Sequence, residues 1–424
     1  MATSLLSPGV FVEEVPSQVK AIAGVSTSVA GIIGIIPTGT VQLVAKNPDF
    51  DPTDDSSLAF KFVDHAIPAK EKVPVLITSW AQFTRNFGDL VGDSTLDATA
   101  VPNAKVDAGY QQLAHAVYGF FNNGGSRCYV TRIAGVADLD AALTPFAAID
   151  EIALVCAPGQ TDDAVYGKLV DHCAATGDRF AILDGPQFQA QLDSLTKPKA
   201  QGGVAPARTD LAAFYYPWVK VFDPGTLMMS AATGGALAVP PSGHVAGIYA
   251  RVDTQRGVFK SPANEVVRGA LDVTHGLSRA DQDTLNPKGV NAIRALNGNI
   301  LVWGARTVGG DANADLKYIS VRRTLLFLRE SIDEGVQWTV FEPNTPALWA
   351  KISRNITAFL TTVWRSGALF GSTPQEAFFV KCDAENNPSE SRDRGEVVAD
   401  IGVAIARPAE FVIFRISQSS AATK

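Results

Sequence analysis

The sequence is short of charge, of histidine and of cysteine, and each shortage removes a class of function. Only 19% of its 424 residues are charged while 46% are hydrophobic. That balance excludes a disordered chain and a heavily solvated surface, and it leaves much of the exterior to meet other protein. The histidines His65, His115, His172, His244 and His275 are dispersed, and a lone helical histidine such as His115 is ordinarily packed or solvated. Cys128, Cys156, Cys173 and Cys382 form no CxxC pair and stand at no zinc-finger spacing, so they read as reduced, buried thiols. The longest apolar stretch, Val29 to Ile36, is interrupted by glycine and stops at Pro37, far short of the ~20 residues of a bilayer-spanning helix. The opening MATSLLSPGVFVEEV lacks a basic region and meets Glu13 and Glu14 where a signal peptide needs its apolar core. Folding in the cytoplasm is expected, with any release following lysis.

Catalytic signatures are missing as well. No GxxxxGK[ST] loop, GxGxxG turn, GxSxG elbow or HExxH helix occurs, so neither catalytic nor cofactor-binding residues are assigned. Gly234-Gly235 and Gly309-Gly310 read as loop punctuation. Asp311, Asn313 and Asp315 have the spacing that opens a calcium loop, but Leu316 and Arg322 stand where that loop needs its glycine and its closing glutamate. No metal site is expected. The net charge of −7 repels phosphate backbones and acidic membranes, which argues against nucleic acid and against membrane insertion. Two alternatives stay open: a nucleotide-binding α/β enzyme, since Val155 to Gly159 and Leu183 to Pro186 lie at strand ends, and a monomeric binding module.

What is present is a chain long enough for about two or three domains. Residues 1–20 read as an arm in which Val10, Phe11 and Val12 form an isolated β-prone run. Val25 to Ile36 reads as a strand, and residues 37–72 as a polar, exposed insertion. A helix begins at Asp107, with Tyr110, Leu113, Ala114, Val117 and Phe120 at helical spacing and a glycine stop at Gly124-Gly125. Strands are expected at Cys128 to Ile133, Ile152 to Cys156, Phe180 to Leu183 and Val219 to Phe222, separated by helices, giving an α/β domain over 21–270. A helical piece over Val245 to Asp253 leads onward. An α+β domain over 271–407 follows, with strands at Ile300 to Trp303 and Gln337 to Phe341 and helices over Tyr318 to Ser331 and Pro346 to Ser366.

Residues 408–424 form a second arm, in which Phe411, Val412, Ile413, Phe414 and Ile416 make a strand without a local hairpin partner. An unpaired apolar edge invites a strand from another chain; folding back on its own subunit is the other possibility. In the helix from Pro346, Leu348, Ile352, Ile356, Phe359 and Val363 make one apolar stripe. Lys351, Arg354 and Arg365 lie opposite, with no Asp or Glu in the helix. On an acidic protein this basic stripe is either a docking face for an acidic partner or a solvated face.

Several ordered blocks carry a family resemblance: SPGVFVEEV, GVSTSVAGIIG, NNGGSRCYVTRI, PSGHVAGIYARVD, LNPKGVNAIR, WGART, VRRTLLFLRESI, GALFGSTPQEAFFVKCD and PAEFVIFRISQ. From end to end the chain resembles the sheath proteins of contractile phage tails, R-type pyocins and extracellular contractile injection systems. The resemblance implies a structural protein rather than an enzyme, with a mixed α/β, multidomain sheath fold. The α/β domain would face outward, the C-terminal domain would face an inner tube, and both arms would join sheets in neighbouring subunits. It also implies stacked rings around the tube, contraction on a baseplate signal, and as partners copies of itself, the inner tube protein, the baseplate and terminator or cap proteins. Lys351, Arg354 and Arg365 would then face the tube. The glycine-rich stretch from Leu285 to Thr307 would open the inward domain, with Pro287 and Gly289 shaping a turn and Trp303 ending a core strand.

Overall fold

The computed structural model describes residues 21–54, 57–97 and 105–413. The described residues divide into two compact units, one lying within 25–330 and 405–413 and a smaller one comprising 21–24 with 331–404. The larger unit opens on strand β1 (Ala30–Ile35), followed by β2 (Thr40–Lys46), β3 (Phe60–Ala66) and β4 (Val75–Ile77). Helices α1 (Trp80–Phe87) and α2 (Ala108–Asn122) lead to β5 (Cys128–Ile133), α3 (Leu139–Ala147), β6 (Leu154–Cys156), α4 (Asp163–Thr176), β7 (Phe180–Asp184) and β8 (Ala212–Tyr216). Then come β9 (Val219–Phe222), α5 (Pro224–Met229), β10 (Ala236–Val239), α6 (Ser242–Arg256), β11 (Glu265–Val266), β12 (Ala270–Val273), α7 (Arg279–Leu285), β13 (Val290–Leu296), β14 (Asn299–Val302) and α8 (Ile319–Val336).

A nine-stranded sheet in the order β11-β14-β13-β8-β7-β6-β1-β5-β4 organises this unit. Strands β13 to β5 of that order run parallel, and antiparallel strands close both ends. Strand β1 sits inside the parallel run and is buried along nearly its whole length, as a strand covered on both faces must be. Its glycines explain the interrupted apolar stretch. A Cβ at Gly31 would meet the Phe146 ring of α3 at 2.6 Å, and one at Gly34 would meet Leu113 of α2 at 2.5 Å. Three residues apart on a strand, they open opposite faces to one helix each.

Helix α2 is capped as its sequence requires. The Asp107 carboxylate accepts from the Tyr110 N–H at 2.7 Å, and Gly124 takes φ 112° beyond its end. Its buried face is Tyr110, Leu113, Ala114, Val117 and Phe120. Against it lies α6, and the contact is close because a Cβ at Gly243 or Gly247 would run into the carbonyls of Ala116 or Phe120. The glycines of PSGHVAGIYARVD therefore serve a helix crossing, and the helical piece extends to Ser242–Arg256.

Three expectations, for residues 37–72, 271 and 337–341, are corrected by the structure. Residues 37–72 are not a loop: β2 and β3 form an antiparallel hairpin, and Val41, Leu43, Val44, Ala45 and Val63 are buried. Val219 to Phe222 is a strand with the expected bounds and lies in a three-stranded sheet, β10-β9-β12. No domain begins at residue 271, because β13 and β14 add to the nine-stranded sheet and the division falls within α8, between Glu330 and Ser331. Gln337 to Phe341 is no strand: a 3-10 turn covers Gln337–Thr339, and Phe341 takes φ 68°. Phe411 to Ile413, the described part of the expected closing strand, pair with no described strand of their own chain.

The smaller unit is built on α9 (Pro346–Arg365), with α10 (Pro374–Ala377), β15 (Phe378–Lys381), α11 (Ser389–Asp393) and β16 (Asp400–Val403). Thr345 caps α9 by accepting from the Leu348 N–H, and Pro346 takes the first turn, where no N–H is needed. Leu348, Ile352, Ile356, Phe359 and Val363 are all buried. The buried Asn387 ties the loop before β16 by donating to the Val398 carbonyl at 3.0 Å and accepting from its N–H at 2.7 Å.

Candidate assembly surfaces

The sheet of the smaller unit has two strands, paired antiparallel from Phe378↔Val403 to Lys381↔Asp400. Among the described strands, β15 and β16 pair only with each other, so each presents a row of backbone donors and acceptors on its outer side. Two strands alone are marginal in water. Phe379 of β15 is 59% exposed, and Val340, Phe341 and Phe370 of the same unit are exposed as well. Exposed apolar side chains of this size are a feature of interaction surfaces in many proteins.

Apolar side chains of the C-terminal arm are exposed too. Phe411, Val412 and Ile413 are 72%, 68% and 79% exposed. Phe414 and Ile416 lie outside the described residues, as do Val10, Phe11 and Val12 of the N-terminal arm.

The basic residues of α9 are arranged as their spacing requires. Lys351, Arg354 and Arg365 lie opposite the buried stripe, all three exposed, and they make no hydrogen bond or ion pair with any described residue. Ala347, Ala350, Thr357, Ala358 and Thr362 fill the outer face between them. Small side chains with unopposed cations make a flat, positive surface.

The strand ends that would suit an enzyme are closed by the chain itself. Asp184, fully buried at the end of β7, accepts from the Ser242 N–H at 2.8 Å, the Ser242 hydroxyl at 2.7 Å and the Gly159 N–H at 3.0 Å. Its own carboxylate thus takes the donors at the carboxyl ends of β6 and β7. Burial pushes its pKa up to about 6, with the same donors opposing the rise. His115 is packed beside Asp223, Nε2 to Oδ1 at 3.0 Å, with both side chains buried. The four cysteines are buried and free, and burial raises the pKa of each thiol. The calcium-like triplet does not converge on one point. Asp311 pairs with Arg306 and Lys317, Asp315 with Arg407, and the Asn313 amide donates to Thr209, Thr307 and Val308.

The same elements recur in known proteins. Residues 134–308 match the phage tail sheath protein central domain, and residues 311–419 match the phage tail sheath C-terminal domain, together most of the chain. The putative prophage major tail sheath protein of Pseudomonas aeruginosa (strain UCBPP-PA14) is 26% identical over 365 residues, covering 82% of this chain and 86% of that one. A chain of the sheath complex of an extracellular contractile injection system, PVC, in its contracted state superposes with TM-score 0.71 at 25% identity over 99% of both chains. A chain of the anti-feeding prophage baseplate superposes with TM-score 0.67 at 28% identity, over 98% of this chain and 99% of that one. With both domain models matched in order and full-length chains superposed, this protein belongs to the contractile tail sheath family and is a contractile sheath subunit of a phage tail-like system.

Proposed function

We propose that the subunit polymerises as stacked rings around a rigid inner tube, linked to its neighbours by exchanged strands, and that the lattice shortens when a baseplate releases it. The observation that most supports this reading is the two-stranded sheet β15–β16, whose outer edges pair with no other described strand, in a chain whose C-terminal arm exposes Phe411, Val412 and Ile413. Adding an arm from a neighbour to β15 or β16 satisfies backbone groups on both chains and covers Phe379. The N-terminal run Val10 to Val12 is assigned the same role. The inner tube, the baseplate and a terminator or cap are the further partners, in a particle assembled in the cytoplasm and released by lysis.

The unit carrying α9 faces the tube in this reading, and the α/β unit faces outward. The stroke consumes no nucleotide. It needs only that the packing of outer units against one another in the shortened lattice be stronger than the grip on the tube that it replaces. About a few kcal/mol per subunit suffices to shift a two-state equilibrium almost completely, and many subunits multiply the difference. Purified protein should form long hollow cylinders by negative-stain microscopy; small particles alone under every condition would overturn the reading.

Lys351 and Arg354 are the residues assigned to an acidic tube surface. Reversing both to Glu places like charges across that contact, which costs several kcal/mol, so tube-templated cylinders should fall by at least about tenfold. The subunit's melting temperature should hold, since neither side chain is buried and surface changes shift stability by about 0.5 kcal/mol or less. Unchanged assembly would show that the stripe is merely solvated.

A further inference from the structure

The root of the C-terminal arm is gripped by residues from three separated sequence blocks. Glu410 lies in PAEF, Asn286 in LNPKG and Arg306 in WGART, and all three meet at one carboxylate. Arg306 donates to it bidentately, Nε to Oε1 at 2.9 Å and Nη2 to Oε2 at 2.8 Å. The Asn286 amide donates to Oε1 at 2.7 Å, and the Tyr318 hydroxyl donates to Oε2 at 3.0 Å. The Arg306 side chain is buried and that of Glu410 largely so, which makes this a charge-assisted fork in a poorly hydrated place. Burial alone would raise the Glu410 pKa, but Arg306, Asn286 and Tyr318 bring it below the usual glutamate value.

The donors are also held by contacts that do not involve the arm. Asn291, fully buried in β13, brackets the Arg306 peptide: its amide donates to the Arg306 carbonyl at 2.8 Å, and its oxygen accepts from the Arg306 N–H at 2.8 Å. Arg306 and Tyr318 are joined by an antiparallel bridge. Asn286 is set by the turn that ends at Gly289 (φ 83°), where a Cβ would collide with the Thr307 carbonyl. The clamp is thus anchored on the nine-stranded sheet, while the next described residues, Phe411 to Ile413, are exposed.

We propose that Glu410 is the anchor of the C-terminal arm: it locks the chain to the α/β unit up to residue 410, exchange pairing begins beyond it, and the pull of a neighbouring subunit ends at this carboxylate. This rests on the strand-exchange reading. Glu410 acts as a positioning residue; the pairing itself belongs to the residues that follow. Its removal leaves no orphaned cation, because Arg306 keeps Asp311 at 3.0 Å and the Asn286 carbonyl at 3.2 Å. The variants E410Q and E410A should therefore fold.

Limited chymotryptic digestion of the full-length, unassembled subunit tests the anchor, because cleavage after Phe411 requires Glu410, the residue before it, to leave its donors and enter the protease. In E410A that cleavage should be at least about tenfold faster, through local opening, while hydrogen exchange in β7 stays as in the parent. E410Q, which retains an acceptor for Asn286, and Y318F, which removes a single donor and leaves the cleaved sequence unchanged, should fall in between. Cylinders of E410A should be fewer and irregular. Unchanged cleavage after Phe411 overturns the anchor, and faster cleavage with normal cylinders overturns its role in bearing the pull. Normal cylinders from a subunit lacking 411–424, with the cleavage difference between the full-length chains intact, would instead overturn strand exchange and leave the clamp standing.

Discussion

Removing residues 411–424 should leave a folded subunit that forms no ordered cylinders. The truncation takes away exposed side chains: Phe411, Val412 and Ile413 are all more than two-thirds uncovered and belong to no strand of their own subunit. Glu410 and its three donors remain, so the α/β unit keeps its clamp. Folding therefore loses little, because surface positions away from buried networks contribute about 0.5 kcal/mol or less. Assembly loses much more, because an augmenting strand supplies backbone hydrogen bonds and apolar cover together. Circular dichroism and thermal melting check the first half, and electron microscopy the second. Normal cylinders from the truncated chain would sink the exchange of this arm.

The largest effect on stability is expected at Arg323. Its guanidinium donates to Asp253 at 3.0 and 2.6 Å and to the Thr27 carbonyl at 2.8 Å, while the Thr27 hydroxyl donates to Asp253 at 2.6 Å. The group also lies over the Tyr249 ring, 4.7 Å from its centroid. The two charged side chains are only 3% and 5% exposed. Arg323→Ala leaves the Asp253 carboxylate buried without its cation, which costs about 3–5 kcal/mol. Denaturant unfolding should record that loss, and Asp253→Ala should match it. Replacing both together with Arg323→Met and Asp253→Leu should recover much of it, since a buried pair exchanged for apolar side chains is often tolerated. A loss below about 1 kcal/mol for Arg323→Ala would contradict the assignment. Thr27 stands near the start of the larger unit, so this pair fixes the chain after the N-terminal arm as Arg306 and Glu410 fix it before the C-terminal one.

Local signals are legible in the sequence where the physics is local. Strand β5 runs from Cys128 to Ile133 as its apolar run predicts. Asp107 and Gly124 bound α2, and α9 buries the stripe that its periodicity marks. The hairpin β2–β3 is hidden because Asp and Pro between Asn47 and Ala59 outweigh the alternation in TVQLVAK, whose Val41, Leu43 and Ala45 point inward. The stretch Gln337 to Phe341 has strand-forming residues, yet it turns at the end of α8, a case of context overriding β-propensity. The limit at residue 270 fails for a different reason. Membership of β13 in the sheet depends on parallel pairing with β8, distant in sequence, and no nearby residue announces it.

The basic stripe is legible because helical spacing alone places Lys351, Arg354 and Arg365 on one side. The Glu410 clamp is not, because its arginine stands 104 residues away. Its only trace is the presence of LNPKG, WGART and PAEF as separate blocks. The first two look like glycine-rich loops; in the fold they are the seat of an arm. Gly289 is there because the turn beside Thr307 leaves no room for a Cβ, and Arg306 because a buried carboxylate from the C-terminal end needs a planar, bidentate partner.

The most direct measurement of strand exchange is a helical reconstruction of the assembled full-length protein at a resolution that traces the main chain. It should show segments from neighbouring copies, containing Val10 to Val12 or Phe411 to Ile416, hydrogen-bonded along the open edges of β15 and β16. A lattice in which both arms return to their own subunit and those edges meet only solvent would contradict it.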